Sequence, residues 1–551
     1  MNIYFCGIGG VGLGPLAEIA LDAGHNVQGS DSHESLMTER LTKRGIAINN
    51  KQKGIFLQAM HQHQPIDWFV YTAGLPEDHP ELQLAKMLGI KTTKRDELLL
   101  HILQEKQLKL IAVSGTHGKT TTTAMAVWAL QQLDIPVSYS VGTTMSFGPS
   151  GHYEPSSEYF VYECDEFDRN FLQFHPYLSI ISSIDYDHPD TYGSPEDYIL
   201  AFRQFVDQSE HAILWQADAN LVGASAKTWV LGEHDMAPVT LPGEHNRRNA
   251  SLVVKALEHL DIAGDAVAAL NKFPGVDRRF EKVAPNMYTD YGHHPIEIAA
   301  TLQLASEISS DVVLVYQPHQ NIRQHELRSQ YIDCFEQATE IYWLPTYLTR
   351  EDPSLPVLTP EQLTEDIINR DAVHIAEMDE TLWQNIQVAR DRGALILFMG
   401  AGTIDEWART MLARQYVACV LITDTNGNLI LQQRDDRPDI KDSGKIAVFG
   451  GSVEPTDTSF KQAAAREIRE ETNITFTPEQ LQFFRIFEKV EDDESLSYVA
   501  YYVLKGVDVS HLIVHEGRGY VTVNPQNLGE YPLSIYTRSV IAQFFNPSAT
   551  V

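Results

Sequence analysis

The sequence predicts an α/β protein with several domains, and three observations support this class. Strand-like apolar runs alternate with helix-like segments from residue 1 to about residue 107, which is typical of a parallel sheet with crossover helices. Two glycine loops, Gly7–Gly12 and Gly115–Gly118, each lie between a predicted strand and a predicted helix, where α/β proteins bind phosphate groups. The 551 residues are too many for one hydrophobic core, so we expect roughly three or four domains.

Composition and charge exclude several classes of function. With 42 Lys and Arg against 74 Asp and Glu, the net charge of −32 argues against nucleic acid as a main partner. The N-terminus lacks the pattern of a signal peptide, and no apolar run approaches the ~18 residues of a membrane span. The four cysteines are scattered without metal-ligand spacing, as in a reducing compartment. We therefore expect a cytoplasmic protein without nucleic-acid binding or membrane insertion.

Four domains are predicted along the chain, at residues 1–107, 108–280, 281–413 and 415–551. The first domain has three strand-like runs and one helical pattern, at Ile3–Cys6, Asn26–Gly29, Trp68–Thr72 and Leu13–Ala23. In the third domain, Val312–Tyr316 and Leu395–Met399 predict buried strands. The fourth domain begins with the run Tyr416–Thr423, and Asn426-Gly427 after it predicts a hairpin turn.

The first glycine loop, Gly7-Ile-Gly-Gly-Val-Gly12, fits the pattern G-x-G-x-x-G, and Asp31 follows at the end of the second predicted strand. Formally this is the dinucleotide fingerprint. Three alternatives remain open: an NAD site, a tight structural turn, or the diphosphate of a nucleotide sugar on the helix N-terminus. For the nucleotide sugar, the expected contacts are Gly9, Gly10, Val11, Gly12, Ser30 and Asp31.

The second glycine loop lies in the stretch Val113–Thr121 and is the most informative feature of the chain. Backbone N–H groups in such a loop point at phosphate oxygens, and the helix dipole favours negative charge. Lys119 would reach the terminal phosphates and Thr120 would offer its hydroxyl to Mg²⁺. Two residues separate Gly115 from Gly118, where the common phosphate loop has four. The loop therefore predicts binding of a nucleoside triphosphate in an unusual family.

Carboxylate and imidazole groups follow the strands after this loop. Glu163 ends an apolar run, where it would meet Mg²⁺ near the phosphates, whereas Glu166 and Asp168 are expected to be solvated. His188 follows another apolar run and is either a metal ligand or a structural residue. Side chains at a later helix start are either helix caps or contacts to a base or ribose: His245, Asn246 and Asn249.

Several motifs, in a fixed order, resemble the Mur ligase family over about residues 1–413. They are Gly115–Thr123, Glu163, Asp187-His188, Gly243–Asn249, Arg278-Arg279, Asp290–Pro295, Gln317-Pro-His319 and Gly400-Ala-Gly402. The resemblance implies a Rossmann-like N-terminal domain, a central ATPase domain and a Rossmann-like C-terminal domain. It is strongest to the branch that joins L-alanine to UDP-N-acetylmuramate through an acyl phosphate. The expected partners are ATP, UDP-N-acetylmuramate and an amino acid, and the expected state is a monomer or homodimer.

The resemblance also implies roles for individual residues. Those expected at ATP are Gly115, Thr116, His117, Gly118, Lys119, Thr120, Thr121, His245, Asn246, Asn249, Arg279 and Asp290. Those expected to be catalytic are Lys119, Glu163, His188 and Arg323, and those expected at the amino acid are Tyr291, His293 and Arg323. Thr120, Glu163 and His188 would hold Mg²⁺ or Mn²⁺.

One departure from the family pattern concerns the amino acid. The alanine branch has Arg after Gln-Pro-His, whereas this chain has Gln320. Arginine pairs with a carboxylate through two hydrogen bonds, which glutamine cannot do. Two alternatives to alanine ligation therefore stay open, namely a ligase that recycles a tripeptide and a nucleotide sensor without catalysis.

The fourth domain contains an acidic helix. Glu467, Glu470 and Glu471 share one helix face, where they repel unless a divalent cation bridges them. The alternative is an exposed helix with charge pairs such as Arg466–Glu470. The string resembles a Nudix box, which implies an α+β domain, with these glutamates on the metal, that acts on or senses a nucleoside diphosphate derivative. Its first acidic position would be Asp457, after one extra residue, and Asn473, which tolerates a left-handed backbone, replaces the box glycine.

Overall fold

A computed structural model describes residues 1–545 apart from residues 73, 189–190, 350, 438–441, 455 and 491–495. Asp190 and Pro455, which border two of the predicted motifs, therefore lie outside the described residues. The chain forms two compact units, Met1–Arg279 and Phe280–Val551. Within the described part, no helix combines the length and the apolar character needed to cross a bilayer. The predicted α/β class is confirmed, since helices alternate with strands in four separate sheets.

The first domain is a parallel sheet with crossover helices. Its strands are β1 (Asn2–Cys6), β2 (Asn26–Ser30), β3 (Ala47–Asn49), β4 (Trp68–Tyr71) and β5 (Lys91–Thr93). Its helices are α1 (Leu13–Asp22), α2 (Leu36–Lys43), α3 (Ile55–His63), α4 (Pro80–Met87) and α5 (Arg95–Glu105). The strand order β3-β2-β1-β4-β5 reverses next to β1, so the glycine loop after β1 lies at the switch point where such sheets bind ligands.

The second domain completes the first unit. Its strands are β6 (Lys109–Ser114), β7 (Val137–Ser140), β8 (Gly151–His152), β9 (Tyr159–Glu163), β10 (Leu178–Ile181), β11 (His211–Trp215) and β12 (Thr228–Leu231). Its helices are α6 (Lys119–Gln132), α7 (Pro195–Gln208), α8 (Gln216–Val222), α9 (Glu244–His259) and α10 (Ala266–Leu270). Parallel strands β9 and β10 flank β6, so the loops after these three strands open at the same edge of the sheet.

The third domain begins the second unit. Its strands are β13 (Glu281–Ala284), β14 (Met287–Asp290), β15 (Val312–Tyr316), β16 (Glu340–Trp343), β17 (Val373–Ile375) and β18 (Leu395–Met399). Its helices are α11 (Pro295–Ile308), α12 (Asn321–Leu327), α13 (Pro360–Leu363), α14 (Glu380–Asp391) and α15 (Ile404–Ala413). The predicted strands β15 and β18 pair in parallel at the centre and are fully buried, as expected when helices cover both faces.

The fourth domain has a mixed sheet. Its strands are β19 (Gln415–Asp424), β20 (Leu429–Gln433), β21 (Ile446–Ala447), β22 (Phe449–Ser452), β23 (Gln482–Val490), β24 (Leu496–Val507) and β25 (Gly519–Val523). Its helices are α16 (Phe460–Glu471) and α17 (Ile535–Phe545). The predicted hairpin is confirmed, because β19 and β20 pair in antiparallel fashion and Gly427 adopts a φ of 83° between them.

Candidate active sites

The phosphate loop closes tightly at its two glycines. Gly115 has a φ of 136°, and a Cβ there would lie 2.4 Å from the Ser182 hydroxyl. Gly118 has a φ of 80°, and a Cβ there would lie 3.0 Å from the side-chain amide of Asn249 on α9. Side chains other than hydrogen would therefore be strained at both positions. This contact brings the predicted nucleotide residue Asn249 against the loop, directly before α6 begins at Lys119.

Lys119 forms a buried ion pair with Glu166. Its Nζ lies 2.8 and 3.0 Å from the two carboxylate oxygens and also donates to the carbonyls of Gly115 and Thr116. The prediction of a solvated Glu166 is wrong, since this residue is 0% exposed. Asp168 is exposed as predicted, at 54% of its side chain. Glu166 could have been suspected only from its position just after β9, at the edge of the sheet that carries the loop.

Thr120 and Glu163 come together as predicted for a metal site. The Thr120 hydroxyl donates to Glu163 Oε1 at 2.7 Å, and the N–H of Gly142 donates to Oε2 at 2.7 Å. A Cβ at Gly142 would lie 2.7 Å from Oε2, so a glycine there makes room for the carboxylate. Among the described residues, no three His, Cys, Asp or Glu side chains form a metal cluster. An oxygen pair of this kind fits Mg²⁺, which keeps several waters and phosphate oxygens as ligands.

His188 lies beside Glu166. Its Nε2 is 3.6 Å from Glu166 Oε1 and 3.7 Å from Asp187 Oδ2. The centroid of its ring lies 5.2 Å from that of the Phe167 ring. The residue adopts a φ of 58°, a conformation that costs about 1–3 kcal/mol and recurs at functional sites. Glu166 thus connects the predicted catalytic lysine to the predicted histidine ligand.

A cleft of about 220 Å³ joins the two glycine loops. Val11, Gly12 and Arg95 line one side, whereas Lys119 and Glu163 line the other. A Cβ at Gly12 would lie 2.6 Å from Arg95 Nη1, so the guanidinium packs directly on the loop. No sequence pattern pointed to Arg95, because it approaches the loop from the distant helix α5.

Hydrogen bonds to Asp31 and within the loop itself hold the first glycine loop in place. Asp31 Oδ2 accepts a hydrogen bond from the N–H of Gly9 at 2.8 Å, and Gly10 donates to the carbonyl of Gly7 at 3.1 Å. In a dinucleotide site the equivalent acid would instead face the ribose. Ser30 is fully buried, and its hydroxyl donates to Glu81 at 2.5 Å. Its side chain therefore supports the sheet, whereas Gly9, Gly10, Val11, Gly12 and Asp31 of the predicted set are half-buried or exposed.

The remaining predicted nucleotide contacts of the first unit occupy three places. Asn246 donates to the carbonyl of Pro242 at 3.0 Å, as a local bond at the start of α9, and His245 is half-buried beside it. Thr121 is half-buried in the first turn of α6. Arg279 is the last residue of the unit and follows Arg278, which has a φ of 58°.

The predicted amino-acid residues cluster in the third domain. Arg323 Nη1 lies 3.0 Å from His293 Nε2, and His293 Nδ1 lies 3.2 Å from the carbonyl of Tyr291. Gln320 precedes α12 with a φ of 60°, and its N–H donates to the carbonyl of Tyr347 at 2.9 Å. Asp290 is buried, and its carboxylate accepts from the N–H groups of Phe280 and Gly292 at 2.8 and 2.7 Å.

The acidic helix α16 carries a second constellation. Arg466 lies 3.0 Å from Asp457, 2.7 Å from Glu467 and 3.1 Å from Glu470, so both the predicted acidic position and the alternative charge pair are present. The extra residue therefore does not prevent Asp457 from reaching the arginine. A Cβ at Gly451 would lie 2.5 Å from Glu467 Oε2.

Glu471 is the most perturbed acid of this site. It is 4% exposed and accepts from the N–H of Gly450 at 3.0 Å and from Gln432 at 3.3 Å. Burial, together with Glu516 and Glu467, raises its pKa to about 8. Carboxylates that disfavour one another's charge in this way are suited to share a divalent cation. Glu516 was not predicted, since it reaches the site from a loop remote in sequence.

Asn473 differs from the prediction. Its backbone lies outside the left-handed region, because α16 ends at Glu471 and the chain leaves it in an extended conformation. Its side chain instead bridges to the segment 511–513, donating to the carbonyl of His511 at 2.8 Å and accepting from the N–H of Ile513 at 2.7 Å.

A phosphate loop whose lysine and hydroxyl face a strand-end carboxylate defines an enzyme that uses a nucleoside triphosphate. Four family models match the chain: Mur ligase family, catalytic domain, at residues 2–107; Mur ligase middle domain at 113–232; Mur ligase, glutamate ligase domain, at 278–402; and NUDIX domain at 413–535. The chain therefore belongs to the Mur ligase family of ATP-dependent ligases and carries a C-terminal NUDIX domain.

Similar proteins cover the ligase part almost completely. The UDP-N-acetylmuramate–L-alanine ligase of Dinoroseobacter shibae is 32% identical in an alignment of 460 positions that covers 75% of this chain and 97% of the relative. The enzyme of the same name from Clostridium perfringens is 32% identical in an alignment of 448 positions that covers 73% of this chain and 96% of the relative. The crystal structure of UDP-N-acetylmuramate-alanine ligase MurC from Thermotoga maritima has a TM-score of 0.59 at 25% identity and covers 75% of this chain and 98% of that one.

Proposed function

We propose that residues 1–413 ligate an amino acid, L-alanine or a related one, to UDP-N-acetylmuramate at the expense of ATP. The observation that carries this proposal is the cleft with Lys119 and Glu163 on one side and Gly12 and Arg95 on the other. An enzyme that phosphorylates a nucleotide-linked carboxylate needs a triphosphate loop and a diphosphate site next to each other. The activity in the names of the similar alanine ligases supports the same reaction.

In the first step, a carboxylate oxygen of the sugar acid attacks the γ-phosphorus, and the bond to ADP breaks. The loop N–H groups hold the phosphates, and Lys119 turns from Glu166 to the γ-phosphate as charge develops there. Thr120 and Glu163, with His188 in the predicted set, would hold Mg²⁺, which neutralises phosphate charge when bound. Arg95, beside Gly12, would face the diphosphate of the acceptor.

In the second step, the amino group attacks the acyl carbon, inorganic phosphate leaves with the bonding electron pair, and the amine loses a proton. The cluster of Tyr291, His293 and Arg323 would bind the amino acid, with the Arg323 guanidinium pairing with its carboxylate. Gln320, beside this cluster, adds no positive charge. That observation favours one second candidate, a ligase for a peptide whose carboxylate lies elsewhere.

The test is release of ADP from ATP by the purified full chain. We expect release to require both UDP-N-acetylmuramate and an amine, and we expect Lys119→Ala to abolish it. The amines compared would be L-alanine, glycine, L-serine and the tripeptide L-alanyl-γ-D-glutamyl-diaminopimelate. ATP binding without turnover on any of them would contradict ligation and support the nucleotide sensor.

We further propose that the fourth domain is a divalent-cation-dependent hydrolase of nucleoside diphosphate derivatives. The placement of Glu467 and Glu471 on α16 against the Gly450-Gly451 turn carries this proposal. Burial raises the pKa of both carboxyl groups, and a bound divalent cation would favour their charged forms. UDP-N-acetylmuramate and its ligated product belong to the same substrate class. A panel of these compounds, ADP-ribose and NADH would be assayed with Mg²⁺ and Mn²⁺, with Glu471→Gln as the inactive control. Absence of any product would remove the hydrolase proposal.

A further inference from the structure

The last turn of α14, in the third domain, contacts the loop that precedes the acidic helix α16. From this contact we infer that Arg390 and Asp391 are positioning residues for the hydrolase site, so that the ligase part sets the geometry of the fourth domain. The inference rests on the hydrolase proposed above. The contact itself can be measured without that activity.

Arg390 holds the loop from one side. It is 7% exposed, and its Nη2 donates to the carbonyl of Thr458 at 2.9 Å and to that of Pro285 at 3.3 Å. Its Nη1 donates to Gln387 Oε1 at 2.9 Å, and Gln387 is itself fully buried. A buried guanidinium in such a fixed geometry specifies the position of the carbonyl that it contacts.

Asp391 holds the start of the helix. Its Oδ1 accepts from the N–H of Lys461 at 3.1 Å, and its Oδ2 accepts a short hydrogen bond from the Tyr502 hydroxyl. Lys461 is in the first turn of α16, and Ser459 caps the same turn by accepting from the N–H of Gln462. Asp391 thus supplies a second cap from another domain, with negative charge at the positive end of the helix dipole.

The held loop leads directly to the acidic site. Thr458 follows Asp457, which pairs with Arg466 at 3.0 Å, and Arg466 in turn contacts Glu467 and Glu470. This is also the stretch with one more residue than the Nudix pattern, and Arg390 holds its end through the carbonyl of Thr458.

Packing around these polar contacts is continuous. The ring of Tyr416 lies 6.3 Å from that of Trp383 in α14 and 4.7 Å from that of Phe460 in α16. Arg414 pairs with Glu380 at 2.7 Å and lies over the ring of Tyr498 at 4.3 Å. This packing keeps α14 and α16 in a fixed position relative to each other. Loss of the polar contacts would therefore shift the loop and the first turn of α16 without separating the domains.

The test uses the full chain with four variants: Arg390→Met, Arg390→Lys, Asp391→Ala and Asp391→Asn. We expect Arg390→Met and Asp391→Ala to lower the hydrolase kcat by about 10- to 100-fold with substrate KM changed less than threefold, because displacement of catalytic groups by about 1 Å has effects of that size. Asp391→Asn keeps an acceptor and should recover most of kcat. Arg390→Lys keeps one donor without the fixed guanidinium geometry and should recover kcat only in part. Arg392→Met, which removes ion pairs to Asp311 and Glu340 only, is the matched control.

Hydrogen exchange of the amides of residues 460–463 gives a second measurement that does not need hydrolysis. We expect at least tenfold faster exchange there in Asp391→Ala, with ligase activity and the melting temperature of the first unit unchanged. If wild type hydrolyses nothing but exchange behaves as expected, the docking stands and only the hydrolase proposal fails. If both kcat and exchange in Asp391→Ala and Arg390→Met stay within twofold of wild type, the inference is wrong.

Discussion

Replacing Glu166 by glutamine should make the protein less stable and yet tighten its binding of ATP. In the present structure Glu166 is 0% exposed and holds Lys119 through both carboxylate oxygens. ATP can use the lysine only after this ion pair is broken, so part of the binding energy is spent on breaking it. Glutamine keeps the shape of the side chain and removes the charge that competes with the γ-phosphate.

The magnitude follows from burial. Breaking a buried ion pair by removing one partner costs about 3–5 kcal/mol. Lys119 keeps the carbonyls of Gly115 and Thr116 as acceptors, so we expect the lower end, about 3 kcal/mol of unfolding free energy. If roughly half of that penalty is relieved when phosphate meets the lysine, the gain of about 1.5 kcal/mol corresponds to tenfold tighter ATP binding.

The pH dependence has a defined sign. Burial alone would lower the pKa of Lys119, but Glu166 raises it above 10.5; burial alone would raise the pKa of Glu166, but Lys119 lowers it below 4.5. The ion pair therefore contributes its full stabilising free energy between pH 4.5 and pH 10.5. Its contribution is lost as pH falls through the lowered pKa of Glu166 or rises through the raised pKa of Lys119.

The assays are urea unfolding without nucleotide, from well below pH 4.5 to above pH 10.5 so that both transitions are reached, and calorimetric titration with MgATP. Lys119→Met and the double variant Lys119→Met, Glu166→Gln complete a mutant cycle. Equal ATP affinity in wild type and Glu166→Gln would refute the reasoning, because it would mean that Lys119 stays with residue 166 in the ATP complex. If the changes in unfolding free energy of the two single variants simply add in the double variant, Lys119 and Glu166 do not form the ion pair.

Three further predictions concern single side chains. Burial raises the pKa of Asp218 to about 6 from 3.8. Its stabilising contribution is therefore present below pH 4 and is lost as pH rises through 6, which lowers the free energy of unfolding by about 3 kcal/mol. Asp218→Asn should raise the urea midpoint at pH 7.5 and not at pH 4. Gly118→Ala should weaken ATP binding at least tenfold in calorimetry, because its Cβ would meet Asn249 at a left-handed backbone position, whereas Gly223→Ala, also left-handed but in open space, should keep wild-type affinity. Asp457→Asn should lower hydrolase kcat about tenfold, since Arg466 loses a buried charge partner; an unchanged kcat in the panel assay would contradict that role.

The sequence predicted those parts of the site that depend on local pattern. Gly115, Gly118 and Lys119 lie in one short stretch between a strand and a helix, and Glu163 ends the strand next to β6. Such positions follow from the rule that parallel strands present their carboxyl ends at one edge. The residues of α16 were predictable for the same reason, because helical spacing puts them on one face.

The residues that were missed or misjudged depend on contacts between distant segments. Glu166 looks like any acid in a loop until the sheet order puts its strand beside the phosphate loop. Arg95 reaches the first glycine loop from α5 of the same domain, and Asp391 reaches α16 from another domain. No spacing in the sequence encodes which helix end meets which loop. The contact of Ser30 with Glu81 was not foreseen either, because Glu81 comes from a helix far along the chain.

One residue, Arg414, separates the end of α15 from the start of β19. A connection of one residue leaves no flexible linker, so the fourth domain must rotate together with the third and keep a fixed orientation to it. A fluorophore or spin label on the outer surface of the fourth domain would thereby report the motion of the third domain during turnover.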